Sequence, residues 1–131
     1  MFQLTSRNLA TLNLSIDVSN HDYRAGLRSL TVTSDQLVIA FIAPPWGDAL
    51  NTSTGLDLCR TTPPITEIVD FLIGIAGKNP LLCAIQVYET LDPVSLAELT
   101  PHFSWSEKRM YGLDAPGLNH GIFMGSRGWV P

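Results

Sequence analysis

Charged side chains are scarce in this sequence: eight Lys and Arg and twelve Asp and Glu make up 15% of 131 residues, against about 25% in an average globular chain. A chain so poor in charge is expected to have much of its surface covered. The formal net charge of −4 leaves no basic footprint for a non-specific grip on a phosphate backbone, so any nucleic-acid surface is small or lies elsewhere. Cysteine is scarce too. Cys59 and Cys83 lie far apart, and the second falls in an apolar run, where a reduced, buried thiol is the ordinary state in the cytosol. Spaced metal ligands are missing: there is no CxxC or HExxH, and His21, His102 and His120 are scattered, which argues against a metal site. The longest apolar stretch, Ile65 to Ala76, contains Glu67 and Asp70 and is too short to span a bilayer. The opening MFQLTSRNLA has neither the basic start nor the apolar core of a leader. A cytoplasmic protein without metal or membrane is the expectation.

What is present is an alternation of strands and helices. LVIAFIA (37–43) and LLCAIQV (81–87) are continuous apolar runs, the pattern of strands covered on both faces of a parallel sheet. Between them, Ile65, Ile68, Val69, Leu72 and Ala76 form the stripe of an amphipathic helix. Thr62 suits its N-cap, Pro63 and Pro64 its first turn, and Gly77 a left-handed end. A strand, crossover helix and strand predict a right-handed parallel unit. Asp92 as N-cap and Pro93 open a short helix ending near Pro101. FSWSEKRMYGL and NHGIFMGSRGW, joined by the turn-rich DAPGLN, predict an antiparallel pair at one sheet edge. Upstream, RNLATLNL reads as a short helix, and LSIDVSNHDY as a strand ending in a loop that carries Asp22. The length suits one domain or part of one, so residues 1–131 are read together as α/β.

The segment IAPPWGDAL follows a strand expected to be central, and in open α/β sheets ligands bind beyond the carboxyl ends of the strands. Two consecutive prolines stiffen the backbone there. Such a loop can aim the carbonyls of Ala43 and Pro44 at a planar amine and accept its hydrogens. Trp46 offers a flat face on which a base could stack, a contact worth roughly 1–3 kcal/mol in single-strand binders. The plainer reading of PPW is a tight loop with a core tryptophan. Asp48 could meet a base edge or ribose, or be solvated. Arg60 and Arg127 read as surface residues, and Trp105 and Trp129 as core or edge cover.

APPWG resembles the (D/N/S)PP(Y/W) motif of amino-methylating class I methyltransferases, and FIAPPWG is most similar to the RNA cap guanine-N2 methyltransferases, the trimethylguanosine synthase family. The resemblance implies a partial Rossmann-like, doubly wound sheet ending in an antiparallel hairpin, and S-adenosylmethionine as cofactor. It implies that Asp22 accepts a hydrogen bond from the adenine amine with Tyr23 beside it. It also implies that Ala43, Pro44 and Pro45 form the methyl-transfer loop, with Trp46 stacking on the substrate base. Asp22 has a second reading, as a solvated loop residue or Asx-turn. At the first motif position Ala43 replaces a residue that in relatives supplies a side-chain acceptor or hydroxyl. No G-x-G-x-x-G follows a first strand, and the acidic residue expected to hold the ribose is missing. The chain is therefore expected to be the C-terminal part of such a domain, lacking the Gly-rich half.

Two functions follow as expectations. One is transfer of a methyl group from S-adenosylmethionine to an exocyclic amine of a nucleobase, with RNA the favoured partner, once the Gly-rich half is supplied. Catalysis would be mainly positioning. The other is a non-catalytic Rossmann-like interaction module whose open sheet edge is covered by a homo-oligomer or a protein partner.

Overall fold

The computed structural model describes residues 2–112 and 119–129. They fall into two units, divided between Thr31 and Val32.

The first unit holds α1 (Phe2–Thr11) and the short α2 (Tyr23–Arg28). α1 covers only the front of the helix expected at RNLATLNL. The strand expected over 14–23 does not form. A strand needs a ladder partner for its backbone groups, and at both ends of this segment the bonds are local instead. Leu14 N–H donates to the Leu9 carbonyl at 2.9 Å, and Asp22 caps α2 by accepting from Arg24 N–H at 2.9 Å. Leu14 and Ile16 stay exposed.

The second unit is a mixed α/β layer structure. Its strands are β1 (Val38–Ile42), β2 (Leu50–Asn51), β3 (Gly55–Leu56), β4 (Leu81–Tyr88), β5 (Trp105–Gly112) and β6 (Asn119–Arg127), and its helices α3 (Ile65–Ala76) and α4 (Pro93–Leu99). The main sheet has the order β1-β4-β6-β5, with β2 and β3 a separate two-stranded hairpin. β1 and β4 are parallel, pairing Val38 with Leu81 through Ile42 with Ile85, and α3 connects them. β6 runs antiparallel to both β4 and β5. The expected terminal pair is therefore present, and its connecting turn lies at 113–118, outside the described residues.

One face of this sheet makes the core. Leu81, Cys83, Ile85 and Val87 alternate along β4 and are fully buried, joined by Ile42 and Phe123. All five stripe residues of α3 are buried too. Burying each Leu, Ile or Val contributes about 1.5–3 kcal/mol. The sequence reading of β1 as central and covered on both faces is corrected. β1 ends the sheet, and Ile39 and Phe41 are 65% and 66% exposed. Its apolar run alone could not reveal which neighbours exist, because a continuous run fits either environment until strand order is known.

The N-terminus of α3 is corrected: the helix begins at Ile65 with Pro64 at the N-cap position, so Thr62 is not the cap and Pro63 and Pro64 precede the first turn. Thr61, not Thr62, satisfies the helix start: Thr61 Oγ1 accepts from Ile65 N–H at 3.0 Å while Thr61 is 2% exposed. Gly77 ends α3 with φ +59°, a conformation that disfavours any residue with a Cβ. Asp92 caps α4 as expected, accepting from Ser95 N–H at 2.8 Å, with Pro93 in the first turn.

Candidate functional site

Tyr88 closes β4 and His120 is the second residue of β6, and the register pairs them directly across the antiparallel ladder. Directly opposed residues project to the same face. The parallel pairing of β1 with β4 sends the chain leaving β1 toward that same end of the sheet. There the loop Ala43–Trp46 turns over the pair. Trp46 lies on His120 with ring centroids 5.2 Å apart and planes inclined by 29°, and meets Tyr88 edge-on at 6.1 Å and 74°. The site is thus three aromatic rings from three elements at the carboxyl end of the parallel pair.

Trp46 is half-buried, so it is neither a core tryptophan nor a free one. Ala43 and Pro45 are exposed and Pro44 is half-buried. Tyr88 is buried, and its phenol is held above its ordinary value by that burial, then by the charge of Glu89 and a hydrogen bond to it. His120 Nδ1 is buried and finds no hydrogen-bond partner among the described residues. The sequence alone assigns His120 no role, because Trp46 is distant in the chain and meets it only through the pairing of β1 with β4 and of β4 with β6.

Past Trp46 the chain makes a short 3-10 turn, Gly47–Ala49, and the β2–β3 hairpin. Asn51 Oδ1 accepts from the N–H groups of Ser53 and Thr54, which shapes the hairpin turn. Leu56 N–H donates to the Thr90 carbonyl and Asp92 N–H to the Leu56 carbonyl, pinning the hairpin beside the end of β4. Gly55 makes this approach with φ +103°; a Cβ there would stand 2.7 Å from the Leu91 carbonyl carbon.

Asp48 is exposed on that turn and lines a cavity of about 310 Å³ with Asn51, Asp57, Arg60 and Asp92. Asp57 and Asp92 each spend a carboxylate oxygen on the backbone N–H groups of Cys59 and Ser95. Three carboxylates against one guanidinium make the cavity unfavourable for phosphate. Arg127 is exposed at the end of β6 and Trp105 and Trp129 are half-buried. No group of His, Cys, Asp and Glu among the described residues is arranged to hold a metal ion. No helix among them is long and apolar enough to cross a membrane.

Asp22 and Tyr23 belong to the first unit, and the loop Ala43–Trp46 and Asp48 belong to the second. The Asp22 carboxylate is engaged locally, by Arg24 N–H and, at 3.8 Å, by the Arg24 guanidinium, which also lies 4.9 Å above the Tyr23 ring. With these contacts, and with no Gly-rich loop in the sequence, the described residues do not by themselves fit S-adenosylmethionine.

Comparison with family models, with curated proteins and with solved structures finds no match to this chain.

Proposed function

We propose that the loop Ala43–Trp46 is the base-binding half of a site that methylates an exocyclic amine of a nucleobase. The favoured substrate is an RNA guanine, by the resemblance of APPWG. The S-adenosylmethionine cradle belongs to a Gly-rich segment that these 131 residues do not contain. The observation that carries this reading is the placement of Trp46: a half-buried indole, braced by His120 and Tyr88, at the carboxyl end of a parallel strand pair. Ligands of open α/β sheets bind at that end. A sheet with a parallel pair and an antiparallel hairpin also suits the back half of a Rossmann-like methyltransferase domain.

In this reading the chain contributes position. A base stacks on Trp46, and the carbonyls of Ala43 and Pro44 accept the hydrogens of its exocyclic amine. Pro44 and Pro45 limit the motion of that backbone. Ala43 adds no side-chain acceptor, so orientation rests on the backbone. Calorimetric titration with guanosine monophosphate and with S-adenosylmethionine tests the reading. Saturable binding of the nucleotide, weakened in Trp46→Ala, is expected, with methyl transfer to capped RNA appearing only when a Gly-rich half is added. A chain that binds no nucleotide overturns it.

A second reading, a non-catalytic module that self-associates, is favoured by one observation: Ile39 and Phe41 on the terminal strand β1, and Leu37 just before it, are exposed. Long apolar edges are ordinarily shielded. It requires a dimer or larger species in light scattering at micromolar concentration, converted to monomer by Phe41→Lys. A monomeric parent chain excludes it.

A further inference from the structure

We propose that His120 is a positioning residue of the Trp46 platform, closing one face of the indole and fixing its plane so that an aromatic ligand stacks on the opposite face only. The ligand half of this inference rests on the base-binding reading above; the positioning of Trp46 does not.

Two rings whose centroids stand 5.2 Å apart with a 29° tilt are within the range of offset stacking, worth about 0.5–1.5 kcal/mol beyond the area they bury. At that separation no second ring fits between them. Tyr88 meets the same indole edge-on, so rotation of Trp46 toward the sheet is blocked as well. His120 is the rigid partner in this contact. It lies within a regular antiparallel ladder and is opposed directly by Tyr88 on one side and Tyr111 on the other. Trp46 is the one that needs support, because it sits on a loop after two prolines. The buried Nδ1, without a partner among the described residues, indicates that the ring face rather than this nitrogen holds the contact. A buried polar atom without a partner carries a desolvation cost. Phenylalanine carries the same flat face without that cost, which makes it the conservative replacement.

The experiment uses Trp105→Phe/Trp129→Phe protein, which leaves Trp46 as its one indole. Acrylamide quenching reads the exposure of Trp46, and titration with guanosine monophosphate reads stacking, with circular dichroism to verify the fold. His120→Ala is expected to increase quenching and to weaken nucleotide binding about 2- to 10-fold, the equivalent of one stacked pair. His120→Phe is expected to restore both, which a merely structural histidine would not predict. A folded His120→Ala protein with unchanged quenching overturns the inference. A parent that binds no nucleotide while His120→Ala still loosens Trp46 removes the base-binding reading and leaves the positioning of Trp46 supported. Nuclear Overhauser contacts between the imidazole and indole protons of the unsubstituted protein read the same packing without any variant, and their absence would also overturn it.

Discussion

The N–H of Leu58 donates to the hydroxyl oxygen of Ser95 at 3.1 Å, in a buried contact between the loop that joins β3 to α3 and the first turn of α4. Ser95 is tied in turn to Asp92, its N–H to the carboxylate at 2.8 Å and its hydroxyl to the backbone carbonyl at 3.1 Å. One small side chain thus links the path of the loop to the end of β4, and both Leu58 and Ser95 are buried.

Replacing that hydroxyl is therefore costly. Ser95→Ala leaves the Leu58 N–H without its partner in the interior, a loss of about 1–3 kcal/mol. Urea unfolding should show a lower midpoint with an unchanged slope.

Two glycine substitutions should act in opposite directions. A Cβ on Gly125 would stand 2.5 Å from ring carbons of Phe103, and overpacking of this kind costs about 1–3 kcal/mol, so Gly125→Ala destabilises. Gly74 lies inside α3, and a Cβ there meets nothing within 4 Å. Gly74→Ala should stabilise by about 0.5–1 kcal/mol. Thermal melts of the pair check both signs.

Burial pushes the Cys83 thiol up to about 12, and burial followed by the hydrogen bond from Cys59 Sγ to Glu98 pushes Cys59 up to about 11, both from an ordinary 9.0. Folded values above unfolded ones mean that the folded chain holds these protons more tightly. The associated stability is complete below pH 9 and is lost as pH rises toward 11 and 12. The unfolding midpoint should fall across that window, less steeply in Cys83→Ala. At pH 8 both thiols should react slowly with a disulfide reagent, Cys83 the slower, because the thiolate is the reactive form.

Trp46→Ala should weaken nucleotide binding by about 1–3 kcal/mol if the indole is the stacking surface. Trp46→Phe should keep most of it. Calorimetry with guanosine monophosphate separates the two, and equal affinity in both variants would place the base elsewhere.

The elements that could be read from the chain are those decided by neighbours in sequence. The stripe of α3 was legible because i, i+3, i+4 spacing places residues on one helix face, and every stripe position is buried. Asp92 and Pro93 were legible because capping is a contact across three residues. LSIDVSNHDY was misread because its alternation resembles a strand, while pairing depends on a partner that the segment itself does not encode. The turn residues of Asn51–Gly55 carry a local hairpin signal, Asx-type hydrogen bonding before a glycine.

The candidate site divides in the same way. Local sequence determined that a stiff Pro-Pro loop with an indole follows an apolar strand, since proline geometry and strand hydrophobicity are properties of adjacent residues. Only the tertiary structure decided that β1 ends the sheet, that β6 enters beside β4, and that His120 arrives under Trp46. Strand order and register arise from non-local backbone hydrogen bonds and from burial of one sheet face, and no short stretch of sequence contains both partners.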